Sequence, residues 1–197
     1  MRPPRFTPPL ALAVCVVGLV WLAAARAAQD AVPSAPRPSI GAQRSGHTTT
    51  VLADGRVLLA GGRVEVGGVQ VWMRTAAVFD PSTGSLTPAG EMVGVREDHN
   101  AIRLKDGRVL ITGGRGPAGP DGRAVEALAT AEIYDPSAGR FTVTGSMTRA
   151  RASQTAELLA NGQVLIEGGE VPASPASTAE MFDPRTGRFT LTRVRRH

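Results

Sequence analysis

One phrase occurs three times in this 197-residue chain: Asp54-Gly55-Arg56-Val57-Leu58-Leu59-Ala60-Gly61-Gly62, then Asp106-Gly107-Arg108-Val109-Leu110-Ile111-Thr112-Gly113-Gly114, then Asn161-Gly162-Gln163-Val164-Leu165-Ile166-Glu167-Gly168-Gly169. Each copy is followed by a second shared phrase: Ala77-Val78-Phe79-Asp80-Pro81-Ser82-Thr83-Gly84, Glu132-Ile133-Tyr134-Asp135-Pro136-Ser137-Ala138-Gly139 and Glu180-Met181-Phe182-Asp183-Pro184-Arg185-Thr186-Gly187. The Gly-Gly pairs begin at 61, 113 and 168, giving periods of 52 and 55 residues. Repeats of about 50 residues belong to propellers rather than to helical solenoids. Whole phrases recurring in order also argue against an ordinary all-β sandwich of short strands.

One unit can be assembled from its residues. His47 to Ala53 and Arg56 to Ala60 are two β-rich runs separated by Asp54-Gly55, a dipeptide suited to a type I′ hairpin turn. Gly61-Gly62 ends the second run without a Cβ, which permits close backbone approach or a left-handed exit. A loop of variable length leads to a third strand, Thr75 to Phe79. The sequence Asp80-Pro81-Ser82-Thr83-Gly84 then turns the chain, with Pro presetting φ and Gly taking the left-handed position. A fourth strand, about Ser85 to Ala89, completes the unit. Four short antiparallel strands per repeat describe one propeller blade.

Apolar residues ending in Gly-Gly, a variable loop, an aromatic before Asp-Pro, and then Thr-Gly with Phe or Leu and Thr resemble kelch repeats. The bacterial galactose-oxidase-like subgroup is the most similar. The resemblance spans about 44–192 and implies an all-β propeller with three blades present, at 44–92, 93–147 and 148–192. That group includes radical copper oxidases, which require a tyrosine cross-linked to cysteine, a second tyrosine and two copper-binding histidines. Tyr134 is the only tyrosine, at a position matched by Phe79 and Phe182, and the only cysteine, Cys15, lies in the N-terminal apolar run. No nucleophile elbow, zinc-binding His-Glu-x-x-His or phosphate-cradling glycine loop is present either. The expectation is a noncatalytic chain with no cofactor and no metal.

Arg2 and Arg5 precede an apolar run from Leu10 to Ala25, and Ala25-Arg26-Ala27 supplies small residues for a cleavage site. Residues 1–27 therefore read as a secretory signal peptide, placing the mature chain outside the cytoplasm, secreted or periplasmic. An uncleaved anchor is the alternative, but the run is shorter than the ~20 residues that a spanning helix needs. A lipoprotein anchor at Cys15 is disfavoured because Val14 stands where such signals want a small residue. Residues 28–43, with Pro33, Pro36 and Pro38, read as an extended linker.

Removing Arg2, Arg5 and Arg26 with the signal lowers the formal net charge from +5 to +2. The remaining arginines are scattered over turns and loops, without the basic stripe and interleaved aromatics of a nucleic-acid surface. Nucleic acid is therefore not expected as a partner. Residues 193–197 form a short basic tail.

Closed propellers have about 4 to 8 blades, so three blades leave two flanks open. A fragment or truncated gene product, a homodimer making a six-bladed ring, and completion by another chain all account for the number. The fragment is preferred on sequence grounds.

Strand parity segregates the loops. The tight turns share one end of the blades. The variable loops, Arg63 to Arg74, Arg115 to Leu128 and Glu170 to Ser177, share the other with the inter-blade connections. Binding residues concentrate on loops held by a rigid scaffold, so the variable end is the candidate binding face. Trp72 is the candidate anchor there for a sugar or a protein, or simply packs over the blade edge. Arg63, Arg74, Arg115 and Arg123 can meet carboxylates, with Glu65, Glu126 and Glu170 close enough in sequence to neutralise them.

His47, His99 and Gln154 occupy one repeat position, each three residues after an arginine. First strands line a propeller's channel, so these three would gather at its mouth with Asp98, or bond the neighbouring blade's backbone. Two functions follow: an exported kelch-type module binding a protein or a cell-surface polysaccharide, or a part of a galactose-oxidase-like or carbohydrate-active enzyme whose catalytic residues lie elsewhere.

Overall fold

A computed structural model describes residues 44–118, 124–170 and 178–193, all of them strands, turns and connections with no helix. The N-terminal apolar run, the proline-containing segment and the basic tail beyond Arg193 lie outside the described residues. Among those described, no helix is long and apolar enough to cross a membrane.

The three repeats form three four-stranded antiparallel sheets. The first has the order β1 (Thr48–Val51), β2 (Val57–Ala60), β5 (Thr75–Asp80), β6 (Ser85–Glu91). The second is β7 (Asn100–Arg103), β8 (Val109–Thr112), β11 (Ala131–Asp135), β12 (Arg140–Val143). The third is β13 (Thr155–Leu158), β14 (Val164–Glu167), β15 (Thr178–Asp183), β16 (Arg188–Arg193). Pro88 sits in β6, an edge strand, beside an irregularity in its pairing with β5, and edges and bulges are where a sheet admits proline.

What the sequence marks as variable loops is partly ordered. β3 (Arg63–Val66) pairs with β4 (Val69–Trp72), and β9 (Arg115–Ala118) pairs with β10 (Ala124–Ala127), as two-stranded hairpins. Trp72 therefore ends a strand of its own.

The turn chemistry also differs from expectation. Gly55 has φ +87°, but Asp54 is not among the residues with positive φ, so Asp54-Gly55 is not type I′. Leu52 O accepts from Gly55 N at 3.2 Å while Leu52 N donates to Arg56 O at 2.7 Å. This is the three-residue hairpin loop with a left-handed glycine bulge. It is stabilised by Asp54 Oδ1, which accepts from Arg56 N at 3.1 Å. The same bonds recur around Asp106-Gly107 and Asn161-Gly162. The turn with positive φ at both central residues is Gly67-Gly68, joining β3 to β4.

The sheets pack face to face through one recurring interface. Leu58, Ala60, Ala76 and Val78 of the first sheet bury against Val109, Ile111, Tyr134 and Phe141 of the second. Leu110, Ala131 and Ile133 on the second sheet's other face bury against Val164, Ile166, Phe182 and Phe189 of the third. Tyr134 and Phe141 contact each other at a ring-centroid distance of 4.7 Å, and Phe182 and Phe189 repeat that spacing. The first two Gly-Gly pairs let the next unit's connection pass closely. A Cβ on Gly61 would lie 2.6 Å from Arg96 O, and one on Gly113 would lie 2.5 Å from Arg151 O.

Among the described residues, the same alternation leaves a flank less covered at each end. Val109 and Val164 are fully buried, as are Ile111 and Ile166, whereas their first-sheet counterparts Val57 and Leu59 are only partly buried. Phe79 is likewise less buried than Tyr134 or Phe182, and Leu86 is 37% exposed against 8% for Phe141 and 9% for Phe189. On the third sheet's outer face Leu165 and Met181 are partly open, whereas the equivalent Leu110 and Ile133 are buried.

Candidate functional site

The variable end is built on a row of short backbone bridges. Ser45 pairs with Arg63, Glu97 with Arg115 and Ala152 with Glu170, fastening each incoming connection to the residue after its own unit's Gly-Gly. This row brings several sequence-nominated side chains together. Glu97 Oε1 accepts from Arg63 Nη1 at 3.2 Å and from Trp72 Nε1 at 3.3 Å. The Glu97 side chain is 4% exposed while that of Arg63 is 42% exposed, so the carboxylate is the buried member. Arg115 forms a close ion pair with Glu170 and lies 3.9 Å from Asp98. Arg63 and Arg115 are thus already matched by acids. The acid that meets Arg63 and Trp72 is Glu97, from the following connection, rather than Glu65.

Arg74 stands apart. It pairs with Glu91 at the end of β6, at 2.6 Å, with both side chains about half exposed. Arg123 lies outside the described residues.

The β3–β4 hairpin has two unlike faces. Its register pairs Val64 with Val71 and Val66 with Val69, placing four valines on one face, while Arg63, Glu65, Gln70 and Trp72 share the other. Val64 at the base is buried, but Val71, Val66 and Val69 are 37%, 54% and 62% exposed, rising toward the tip.

Of the three residues nominated for a channel mouth, two are buried in contacts with the preceding sheet. His99 is buried, and its Nε2 lies 2.8 Å from Thr48 Oγ1 of the preceding sheet. Burial pushes its pKa down to about 3, with Arg96 and His47 adding unfavourable charge. Gln154, also buried, donates from Nε2 to Thr112 O at 2.7 Å. His47 is only partly buried and contacts Arg44 O through Nδ1 at 3.2 Å. His99 and Gln154 are therefore inter-sheet contacts. The described residues contain no group of three or more His, Cys, Asp or Glu able to hold a metal ion.

Sequence reasoning passed over the most buried charges in the molecule. Arg96 and Glu132 pair at 2.7 Å with side chains 1% and 2% exposed, and Arg151 and Glu180 pair at 3.1 Å with both at 0%. Each glutamate also accepts two backbone N–H groups from the incoming connection, Val93 and Gly94 for Glu132, Thr148 and Arg149 for Glu180. Each arginine spans the carbonyl of the first glycine of the Gly-Gly pair and the threonine at the start of its unit's third sheet strand, Thr130 just before β11 and Thr178 at the head of β15. The recurrence of Glu at the head of the second phrase signals this clamp, and Ala77 replaces it in the first unit. Arg44 there still bonds Gly61 O and Thr75.

Open clefts of about 460 Å³ and 570 Å³ lie at the opposite, tight-turn end, around Asp106 and Asn161 and around Asp54 and Asp80. Their charges are largely spent within the turns themselves, as in Arg56–Asp54 and Arg185–Asp183.

Fold and site together define an all-β protein of repeated antiparallel sheets. The solved structure of YjhT is similar, with a TM-score of 0.63 at 14% identity over 79% of this chain and 54% of that one. The chain thus spans about half the length of that structure, and the likeness is one of fold. No family model matches the sequence, and no curated protein does.

Proposed function

We propose that the chain is a noncatalytic, exported module of kelch-type propeller blades that binds a protein partner through its variable end. The observation that carries this reading is the β3–β4 hairpin, whose exposed valine face is continuous toward its tip. Exposed aliphatic surface rimmed by charge marks an interaction site. Polysaccharide is the weaker choice, because the single aromatic residue at this end, Trp72, is partly buried and already tied to Glu97 through its indole N–H.

The test is selection of binders from a displayed peptide library on the purified protein, alongside a glycan array. Binders should lose at least tenfold in affinity to a Val66→Glu/Val69→Glu variant with an unchanged melting temperature. Binders indifferent to that change, or glycan hits lost in Trp72→Ala alone, would contradict the reading. The second reading, part of a galactose-oxidase-like or carbohydrate-active enzyme, draws on the 54% coverage of a longer solved chain of this fold. Catalytic residues would then lie in further blades.

A further inference from the structure

Among the described residues, the two outer flanks carry the same residue positions as the two sides of the interface that the chain makes twice between its own sheets. The first sheet presents Val57, Leu59, Phe79 and Leu86, the face that both later sheets bury. The third sheet presents Leu165 and Met181, on the face that both earlier sheets bury.

Backbone bonds at the variable end carry the same signature. Asp98 N donates to Gly46 O at 2.9 Å, and Ser153 N donates to Asp98 O at 2.9 Å. These three equivalent residues all take positive φ, at 67°, 51° and 56°, a conformation that is strained for Asp98 and Ser153 but not for Gly46. Among the described backbone bonds, the stair stops with Gly46 N and Ser153 O unused. Gly62 N and Gly114 N likewise donate to the carbonyls of Arg96 and Arg151 in the next connection, at 2.8 and 2.9 Å, while Gly169 N has no such bond.

Side chains complete the match. A Cβ on Gly61 would meet the His99 ring and one on Gly113 would meet the Gln154 amide, yet a Cβ on Gly168 would have nothing within 4 Å. The residue missing before Gly168 is the counterpart of His99 and Gln154, and the chain holds that counterpart at its other end, in the partly buried His47. Thr155 supplies, at the place of Thr48, the hydroxyl that an imidazole there would meet.

We propose that a second copy of this chain covers both flanks. The third sheet of each copy packs on the first sheet of the other, closing a ring of six sheets, with His47 of one copy in front of Gly168 of its partner. A head-to-tail contact that closes gives a finite dimer, whereas one that does not close grows into a filament. This inference is independent of what the variable end binds.

The experiment expresses the complete chain and measures the mass of the purified protein by light scattering, at about 10 μM, for wild type, Leu86→Arg, Gly168→Ala and Gly55→Ala. Wild type should show twice the single-chain mass. Leu86→Arg changes a side chain already 37% exposed in one copy and should halve that mass while its β-sheet circular dichroism is retained. Gly168→Ala should weaken association at least tenfold, because the equivalent Cβ at Gly61 or Gly113 runs into the next connection. Gly55→Ala, with similar left-handed φ and open space, should leave the mass unchanged. A monomeric wild type, a mass growing beyond two copies, or a dimer indifferent to both Leu86→Arg and Gly168→Ala would overturn the proposal.

Discussion

Replacing Glu132 by alanine removes one half of a buried charge pair and should be among the most damaging single changes in the central unit. Arg96 would keep the carbonyls of Gly113 and Thr130 and the Thr130 hydroxyl as acceptors, at 2.8, 3.2 and 3.2 Å. It would lose its counter-charge at 2.7 Å, in a place where its side chain is only 1% exposed. Breaking a buried pair by removing one partner costs about 3–5 kcal/mol. Orphaning the N–H groups of Val93 and Gly94, now held at 2.6 and 3.1 Å, adds about 1–3 kcal/mol for any that water does not reach. Taking the pair alone, with each kcal/mol worth ~2–4 °C in a domain of this size, the melting temperature should fall by roughly 6–20 °C. Urea and thermal denaturation followed by circular dichroism measure it. Arg96→Met combined with Glu132→Leu should recover at least half of the loss, since apolar replacement of a whole buried pair is often neutral or better. A loss below about 1 kcal/mol for Glu132→Ala would refute the clamp, because that is what a solvent-screened surface pair delivers.

Acid should destabilise the protein through His99. Its folded pKa, near 3, lies below the ordinary 6.5, so stability is full above about pH 7 and falls toward pH 3 as the unfolded chain takes a proton that the fold refuses, by up to about 1.4 kcal/mol per pH unit. His99→Gln, which copies Gln154 of the third unit, should flatten that part of the urea-midpoint profile, and an unchanged slope would contradict the assignment. Gly113→Ala should cost well over the ~1–2 kcal/mol of left-handed strain, because its Cβ would lie 2.5 Å from Arg151 O, whereas Gly55→Ala should cost only that strain; equal urea midpoints would contradict it. Ser153→Gly, which restores the residue type of Gly46, should raise stability by about 0.5–1 kcal/mol, and a lower melting temperature would show that the hydroxyl matters more than the strain.

The three sheets and their strand order were legible because the repeat states them three times and each strand is bounded by Gly or Asp-Pro. The β3–β4 hairpin was equally written in the chain. Val64-Glu65-Val66-Gly67-Gly68-Val69-Gln70-Val71 alternates with period two around a turn that both glycines enter with positive φ, but a length that varies between units reads as a loop. Asp54-Gly55 misled because a two-residue turn is the commonest use of that dipeptide, and only the pairing of Leu52 with Arg56 shows the third loop residue. At the candidate site, Trp72 and Arg63 meet at Glu97, 25 and 34 residues further along the chain, a meeting fixed by how one connection crosses its neighbour's Gly-Gly. His99 and Gln154 were visible as equivalents, yet their burial depends on the preceding sheet. His47, whose preceding sheet would belong to another copy under the proposal above, is the one left only partly buried.

One interface recurs between consecutive sheets, and the exchange rate of a single amide tests most directly the proposal that it recurs between copies. Gly46 N–H has no backbone acceptor among the described bonds of one copy, whereas Asp98 N–H and Ser153 N–H donate along the stair. Residue-resolved hydrogen exchange on the purified protein should find Gly46 protected to the same degree as Asp98 and Ser153, because Ser153 O of the partner accepts from it. Exchange of Gly46 at the rate of an open amide, with Asp98 and Ser153 protected, would mean that the interface is used only twice and that the flanks face water.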